Sequence, residues 1–576
     1  MDRRNFLKGT ATSALALSAG LALKTAAKAA TVVELPSYHR LFPDLPAAKF
    51  DMADLERLAS GDGKDLPGMS AAPELLKDKD KKPLRSAQGK LVMSATPENE
   101  MDDEENFGLP AGYTYLGQFV DHDLTFKGDD DFAVKGASGV NARTPRFDLD
   151  SVYGAGPGLQ PFLYEADGRR LQRGRHLTRS GKPSNARDHV RVGDRALIGD
   201  KRNDENVLVS QLHGVFADFH NAVADDARTM DFDALRRNVS WHYQWMLLTD
   251  FLPRLCGPDV VASLLPGFGE NGMVGMPRPQ LKLTANMPAE GIPLEFTDAA
   301  YRFGHSVIRS VYRLNEPMRG TADEIRRNKA MAGRLAIFAA AENAGLNGFR
   351  TFPSEWAIDW NLYFETRTPL SVAHIADGAR RVQASYKIDT SLTNPLSHLP
   401  EFSRMQENGQ LRQDKDGFAV PKPGAMPNLT LRNLTRGQVS GLPSGQDVAR
   451  AMGIEPLADA DLRVGKASVD GLEENRSIVE YGESFRGSAP LWFYVLAEAQ
   501  HDWSQRARAT KGDENAKNAV PSRLGPVGGR IVAETFVALM SRDPASVLQA
   551  PAKWRPTYQD KGKFGMVELV TIAGHG

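Results

Sequence analysis

The chain has 576 residues, of which 41% are hydrophobic and 25% are charged, so it can bury a large core and has the composition of an ordinary folded protein. Its formal net charge of -1 excludes a strongly basic protein that binds nucleic acid or acidic lipid through overall charge. The single cysteine, Cys256, excludes an intrachain disulfide, and its mostly apolar neighbours predict a buried thiol.

The first residues have the pattern of an export signal. Paired arginines near the start precede a mildly apolar stretch from Thr10 to Leu23, and the small residues Ala27 and Ala29 follow as a cleavage site. This stretch is short for a bilayer span, and the pattern is similar to a twin-arginine signal, which directs folded proteins out of the cytoplasm. We therefore predict a signal peptide over residues 1–29 and an exported protein, periplasmic or secreted, with no transmembrane segment. An ordinary secretory signal or a frayed basic tail is the alternative.

Residues 30–105 differ in composition from the rest of the chain. They are rich in proline, aspartate, lysine and glycine, and they include a charge run at 77–83, which is typical of a solvated segment. We predict an arm packed on the core rather than a separate domain, followed by one large domain over residues 106–576.

Apolar residues with helical spacing recur from Gly112 onward and predict a mainly α fold. The segments with helical character are 115–126, 204–228, 241–252, 330–343, 489–499 and 531–540. Alternating strand patterns are scarce, and long irregular connections are expected at 129–200, 265–295 and 395–430. The expected architecture is a single large, mainly α domain with long irregular loops and little β structure.

A cluster of polar side chains lies within the apolar segment 115–126. If the segment is helical, Gln118 and His122 share one face because they are four residues apart. Asp121 lies at the edge of that face, and Asp123 points elsewhere. Burying such a cluster is costly without a task or a partner. The helix is therefore expected to offer polar groups to a pocket and a separate carboxylate to a second site.

Three further segments hold polar groups that look buried. They are Gly-Asp-Lys-Arg-Asn-Asp-Glu-Asn at 199–206, Ala-Tyr-Arg-Phe-Gly-His-Ser-Val-Ile at 300–308, and Arg-Asn-Leu-Thr-Arg-Gly at 432–437. Together with Gln-x-x-Asp-His-Asp at 118–123, their order and spacing resemble the animal-type haem peroxidases of the peroxidase–cyclooxygenase superfamily, and the chain looks like a bacterial member. The resemblance runs from about Tyr113 to about Ser541.

The resemblance implies a haem b site with five principal residues. His122 is expected to be the distal base, because an imidazole can move a proton of hydrogen peroxide at neutral pH, and Gln118 is expected to place water or halide. Arg202 would stabilise charge on the departing oxygen. His305 is expected to be the proximal iron ligand, with Asn433 as the hydrogen-bond partner of its other ring nitrogen.

Further positions around the haem follow from the same resemblance. Arg302 is expected near a haem propionate. Asp121 and Glu205 match the two acids that form ester bonds to haem methyl groups in mammalian members, and whether both, one or neither bond forms stays open. Asn206 stands where one member has a methionine joined to the haem, which excludes that bond and makes iodide, bromide, thiocyanate or phenols better expected donors than chloride.

The segment Thr-Pro-Arg-Phe-Asp-Leu-Asp at 144–150 resembles the calcium loop of the family. The implied Ca²⁺ ligands are Asp123, Thr144, the carbonyl of Arg146, Asp148 and Asp150. Carboxylate, hydroxyl and carbonyl oxygens are the ligands that this hard ion takes. Because Asp123 follows His122, the ion is expected to fix the distal helix. An Asx-rich turn without a metal is the alternative.

The resemblance implies an exported haem peroxidase that reduces hydrogen peroxide and oxidises a small donor, a halide, thiocyanate or phenol, through a ferryl intermediate. One alternative is a fatty-acid dioxygenase of the same superfamily, which has a tyrosine where Arg302 stands. Another is a non-catalytic, peroxidase-like adhesion or calcium-binding protein. A hydrolase with a metal bound at 121–123 is disfavoured, because successive helical side chains do not converge on one ion. The oligomeric state stays open.

Overall fold

Helices from distant parts of the chain surround one hydrophobic core. The computed structural model describes residues 37–70, 74–75, 93–94, 105–127, 141–179, 182–268, 278–315, 335–339, 345–371, 382–404, 406, 412–413, 419–467, 475–512, 514–551 and 553–576. The signal predicted over 1–29 and the charge run at 77–83 lie outside the described residues.

The α-helices carry most of the regular structure. They are α1 (Met52–Ser60), α2 (Gly112–Leu124), α3 (Asp150–Tyr153), α4 (Val207–Asp226), α5 (Phe232–Met246), α6 (Leu252–Cys256), α7 (Pro258–Leu264), α8 (Leu294–Thr297), α9 (Leu429–Val439), α10 (Gly445–Ala451), α11 (Leu491–Ala509), α12 (Glu514–Asn518), α13 (Pro526–Arg542) and α14 (Met566–Ile572). A π-helical turn, Leu247–Phe251, continues α5 into α6. Across the described ranges, no helix is both long and apolar enough to cross a membrane.

Every sheet within the described residues has only two strands. The strands are β1 (Ser37–His39), β2 (Glu74–Leu75), β3 (Met93–Ser94), β4 (Glu105–Pro110), β5 (His176–Arg179), β6 (Lys182–Arg187), β7 (Arg191–Val192), β8 (Arg195–Ala196), β9 (Gly291–Pro293), β10 (Val311–Tyr312), β11 (Leu335–Ala336), β12 (Ala384–Tyr386), β13 (Arg463–Val464) and β14 (Arg476–Ser477). β1 and β9 are parallel, whereas β4 and β12 are antiparallel with an irregular register at Ala384. The predicted mainly α fold with little β structure is confirmed.

α2 packs against α4 within the core. The ring of Phe119 on α2 stacks on Phe216 of α4, with centroids 4.4 Å apart. The Oδ1 atom of Asn206 accepts hydrogen bonds from the N–H groups of Leu208 and Val209, a capping arrangement that typically stabilises a helix by about 1 kcal/mol. This cap fixes where α4 begins, and therefore where the preceding polar segment meets α2.

Parts of the segment 30–105 contact elements from much later in the chain. β1 adds in register to β9, and α1 packs against α9. Just before α1, the backbone N–H of Phe50 donates to Oε1 of Gln438 at 2.7 Å. These contacts bring the described part of this segment onto the same core as the helices.

The helix expected over 330–343 is wrong for the part that the structure describes. Leu335 and Ala336 form β11, antiparallel to β10, and the N–H of Ile337 donates to the carbonyl of Ser310. Pairing with β10 satisfies the backbone N–H and C=O groups that would otherwise form hydrogen bonds within a helix. Tertiary context therefore overrides the preference of alanine for helices. Residues 330–334 and 340–343 lie outside the described residues.

Candidate active site

A cavity of about 940 Å³ brings the predicted polar segments together. α2 contributes seven lining residues, the 3₁₀ turns Lys201–Asp204 and Ala300–His305 contribute others, and α9 adds two arginines. The lining residues named from the sequence are Gln118, Asp121, His122, Arg202, Glu205, Asn206, Arg302 and His305. Two imidazoles that are distant in sequence, His122 and His305, therefore belong to the wall of one cavity.

His122 is buried and hydrogen-bonded through only one of its ring nitrogens. Its Nδ1 lies 2.9 Å from Oδ1 of Asn203, and its Nε2 lies 3.8 Å from the carboxylate of Glu205. Burial, together with the positive charge of Arg202, lowers the pKa of His122 to about 4. The imidazole is therefore neutral at ordinary pH, and a neutral imidazole has one nitrogen that can accept a proton.

Arg202 is held by groups on α2 and by a buried carboxylate. Its Nη2 donates to the carbonyl oxygens of His122 and Thr125 at 3.0 and 2.6 Å and to Asp200 at 2.8 Å. Nε also donates to Asp200, and the guanidinium lies over the ring of Phe126. These contacts hold the pKa of Asp200 well below its usual range. The guanidinium is thus a fixed charge beside His122, and not one half of an exposed surface ion pair.

Gln118, Glu205 and Asn206 form a short polar network on the cavity wall. Nε2 of Gln118 donates to Glu205 at 3.0 Å, and Nδ2 of Asn206 donates to Oε1 of Gln118 at 3.1 Å. Loss of water around Glu205, with repulsion from Glu401, raises its pKa to about 8. Asp121, which also lines the cavity, accepts from the hydroxyl of Thr125 at 3.3 Å. Both acids that the sequence singled out therefore lie on the cavity wall.

His305 is paired with Asn433 of α9. The Asn433 amide lies 2.8 Å from Nδ1 of His305 through its nitrogen, and its buried oxygen has no hydrogen-bond partner. The two ends of an amide differ only by a half-turn, and the reversed orientation lets this oxygen accept from Nδ1–H. Burial, with Arg302 and Arg436 nearby, lowers the pKa of His305 to about 3. The ring is then neutral, with Nε2 as its unprotonated nitrogen.

Several cations line the cavity beside His305. Arg302, Arg432, Arg436 and Lys127 all belong to the lining. Lys127 pairs with the buried Asp298 at 2.7 Å, and Arg436 lies 4.0 Å from the same carboxylate. Nε of Arg302 donates to the carbonyl of Thr297. Three of these cations, Lys127, Arg436 and Arg302, act on the one buried carboxylate of Asp298, and such an excess of positive charge suits a ligand that carries further carboxylates.

A second candidate site is a cluster of acidic residues, one of which, Asp123, follows the cavity residue His122 on α2. Carboxylate oxygens of Asp123, Asp148 and Asp150 lie within 4.8 Å of one another, and the hydroxyl of Thr144 is 3.3–3.4 Å from the last two. Burial and the neighbouring acids raise the pKa of Asp123, and they raise that of Asp150 to about 7. Leu149, between the two acids of the loop, has a positive φ of 59°, a strained conformation for a bulky residue.

Two arginines pair with this acidic cluster. Arg143 lies 3.4 Å from Asp150, and Arg236 lies 3.2 Å from Asp148. The N–H of Arg146 donates to the carbonyl of Thr144, and its side chain pairs with Glu290. One oxygen of Asp150 is buried without a hydrogen bond. The five residues predicted as a metal site therefore lie in one loop and on α2, where three acids converge despite their mutual repulsion.

Some residues of the site were not predicted from the sequence. Asn203 is hydrogen-bonded to both His122 and His213, and Lys127 and Arg436 line the cavity. Arg436 lies within a segment that the sequence singled out, but its position relative to the cavity depends on how α9 packs. Asn203 follows Arg202 directly, and no spacing rule indicates an amide that contacts two histidines.

Part of the chain matches the model of a known protein family. Residues 126–368 match the family model for the animal haem peroxidases. No curated protein matches the chain. Among solved structures, peroxidase A from Dictyostelium discoideum has 15% identity over 89% of this chain and 88% of its own, with a TM-score of 0.45.

Fatty acid alpha-dioxygenases are similar to a comparable degree. The enzyme from Oryza sativa has 14% identity over 94% of this chain and 85% of its own, with a TM-score of 0.44. The enzyme from Arabidopsis thaliana has 15% identity over 92% of this chain and 82% of its own, with a TM-score of 0.43. Likenesses at this level do not distinguish a peroxidase from a dioxygenase.

Proposed function

We propose that this chain, of which residues 126–368 match the family model for the animal haem peroxidases, is a haem-dependent oxidoreductase of the peroxidase–cyclooxygenase superfamily and, more specifically, an exported peroxidase. It reduces hydrogen peroxide and oxidises a small donor, a halide, thiocyanate or phenol. The observation that carries the proposal is the presence of His122 and His305 on the wall of one cavity. The export part rests on residues 1–29, outside the described residues.

The residues of the cavity fit a haem in size and in chemistry. Its volume of about 940 Å³ lies within the range of about 300–1,000 Å³ that is usual for cofactor and ligand sites. His305 would hold the iron through Nε2, because Nδ1 is paired with Asn433. Arg302, Arg436 and Lys127 would neutralise the two propionates of the haem. When bound, the haem supplies a redox-active iron that passes oxidising equivalents from peroxide to the donor.

The other cavity residues would handle the protons and charge of peroxide. Nε2 of His122 takes a proton from one peroxide oxygen and returns it to the other as that oxygen leaves as water, a transfer typically worth about 10²–10⁴ in rate. Arg202, held by Asp200, stabilises negative charge on the departing oxygen. Gln118 is tied to Glu205 and Asn206 and would place a water molecule or a halide.

Peroxide-dependent turnover of the purified full-length protein tests this function. We expect a haem absorption band, together with oxidation of iodide and of a phenolic donor that requires added peroxide. Oxygen uptake with linoleate in the absence of peroxide would instead identify a fatty-acid dioxygenase. A protein that takes up no haem when haem is plentiful would be the non-catalytic binding protein.

The covalent state of the haem is tested separately. Asp121 and Glu205 both line the cavity, so their carboxyl groups can reach a ligand there, whereas Asn206 caps α4 and has no sulfur to form a bond. Extraction with acidified acetone removes a haem held only by coordination and leaves an ester-linked haem on the protein. Glu205→Gln and Asp121→Asn then assign any bond to its acid.

The acidic cluster supports a structural Ca²⁺ site. Three carboxylates and a hydroxyl converge, and this donor set suits a hard cation with oxygen ligands. A cation would also relieve the repulsion that raises the pKa values of Asp123 and Asp150. Since Asp123 follows His122 on α2, Ca²⁺ would hold the end of the helix that carries the proposed base.

A further inference from the structure

A buried amide joins two imidazoles beside the cavity. Oδ1 of Asn203 lies 2.9 Å from Nδ1 of His122, and its Nδ2 lies 3.0 Å from Nδ1 of His213. The three side chains are 0%, 4% and 4% exposed respectively. Of the three, His122 lines the cavity, and Asn203 and His213 do not. Asn203 and His213 are therefore linked to the cavity through His122.

An amide is a directional connector, because one end only accepts hydrogen bonds and the other only donates them. Both imidazoles are buried, and burial favours the neutral form of the ring. Each neutral ring has one protonated and one unprotonated nitrogen. An amide oxygen facing His122 therefore requires a proton on its Nδ1 and leaves Nε2 without one.

The opposite arrangement would disable His122 as a base. If the amide nitrogen faced His122, Nδ1 would have to accept and the proton would lie on Nε2, the nitrogen nearer Glu205 in the cavity. In the structure Nδ2 of Asn203 faces Nδ1 of His213, which then accepts as the unprotonated nitrogen, while the amide oxygen is turned towards His122. The tautomers of His122 and His213 are thus coupled through the side chain of Asn203.

The backbone on both sides of Asn203 is firmly held. The N–H of Asn203 donates to the carbonyl of Asp200 in the 3₁₀ turn. The preceding residue, Arg202, donates hydrogen bonds to Asp200 and to a carbonyl group of α2. The following residue, Asp204, accepts a hydrogen bond of 2.7 Å from each terminal nitrogen of Arg191. His213 lies on α4, between the rings of Phe119 and His189. The amide therefore has little freedom to move away from either imidazole.

We propose that Asn203, oriented by His213, is a positioning residue that keeps His122 in the Nδ1–H tautomer, with Nε2 available to accept a proton in the cavity. The inference rests on the proposed function, because the importance of this tautomer lies in the reaction with peroxide. It also adds to that function two residues, Asn203 and His213, which touch neither peroxide nor the donor.

Two substitutions of Asn203 separate orientation from packing. Asn203→Leu keeps a similar volume without hydrogen-bonding groups, and we expect it to slow the reaction with peroxide by about 10- to 100-fold, the usual effect of removing the partner that orients a functional histidine. Asn203→Asp keeps an acceptor oxygen facing His122 and should return the rate towards that of the wild type. Haem content and the rate of the later step with the donor should not change in either variant. Equal rates for Asn203→Leu and wild type would overturn the proposal.

A neutron crystal structure of the full-length protein tests the tautomer without reference to turnover. The expected result is deuterium on Nδ1 of His122 and on Nε2 of His213, and no deuterium on Nε2 of His122. Deuterium on Nε2 of His122 and none on its Nδ1 would contradict the assignment, even if the variants fail to fold. Failure of the proposed function would show differently, as a wild-type rate with peroxide in His122→Ala.

Discussion

Burial keeps the His122 imidazole neutral, which is the state that a proton acceptor needs. The pKa of the ring falls to about 4, because desolvation disfavours the charged form and Arg202 repels it. The same arginine is fixed by Asp200 and by carbonyl groups of α2, so base and cation are held together. The two groups can act on one peroxide molecule without rearrangement, which is how preorganised charge lowers a barrier.

Removal of the His122 side chain should affect one step only. We expect His122→Ala to bind haem as the wild type does, and to react with peroxide at least about 10²-fold more slowly, because the proton acceptor is lost. Stopped-flow absorbance at increasing peroxide concentration measures this rate. His220→Ala is the matched control, since His220 is also buried but bonds to Tyr153 and Arg169 instead. Unchanged kinetics in His122→Ala would remove it from the mechanism.

α2 links the two sites of the protein. Gln118 and His122 belong to the cavity wall, whereas Asp123 turns into the acidic cluster, where it accepts hydrogen bonds from the N–H groups of Leu149 and Ser151. Consecutive helical residues differ by about 100° in direction, so one helix can serve both sites. Any ion bound by the cluster would therefore stabilise the geometry around His122.

Removal of calcium should lower stability and activity together. At a concentration 100 times its Kd, a ligand that binds only the folded state stabilises it by about 2.7 kcal/mol, so we expect a chelator to lower Tm and to slow the peroxide reaction. Differential scanning calorimetry with and without Ca²⁺ measures the first effect.

A pair of acid-to-amide variants controls for nonspecific effects of the chelator. Asp148→Asn should abolish most of the response to Ca²⁺, because Asp148 is one of the three converging acids. Asp231→Asn should retain the full response, because Asp231 caps α5 outside the cluster. A Tm that does not respond to Ca²⁺ in the wild type would count against the metal site.

The α2–α4 contact should contribute strongly to stability. Phe119 is fully buried and stacks on Phe216 at 4.4 Å, so Phe119→Ala should lower the free energy of unfolding by about 3–5 kcal/mol through lost contacts and a cavity. Phe162, which is 49% exposed, provides the matched control. Phe162→Ala should change the free energy of unfolding by less than about 0.5 kcal/mol. Denaturant titration measures both, and a similar small loss in the two variants would contradict the assigned packing.

At the scale of the whole molecule, local patterns predicted the helices better than the contacts between them. The apolar stripe over 204–228 predicted α4 because its period is that of a helix, and the i, i+4 spacing of Gln118 and His122 agrees with α2. The strand at Leu335–Ala336 was not predictable from its alanine-rich surroundings, because its partner β10 lies in a distant segment.

The candidate site shows the same division between local and tertiary information. His122, Arg202 and His305 were identified by motifs whose residues are close in sequence. The links from Asn203 to His122 and His213 depend on the packing of α2, α4 and the turn between them. A single asparagine has no periodicity or spacing that would reveal such a link.

Haem binding by His305 tests the central claim most directly. The measurement is haem content and the absorption spectrum of full-length wild type and His305→Gln, purified under the same conditions with ample haem. The wild type should contain haem with a strong absorption band, and the variant should lose the haem or hold it with a clearly altered spectrum, because its nitrogen ligand to iron is gone. A variant with the haem content and spectrum of the wild type would contradict the proposal that His305 holds the iron of a haem in this cavity.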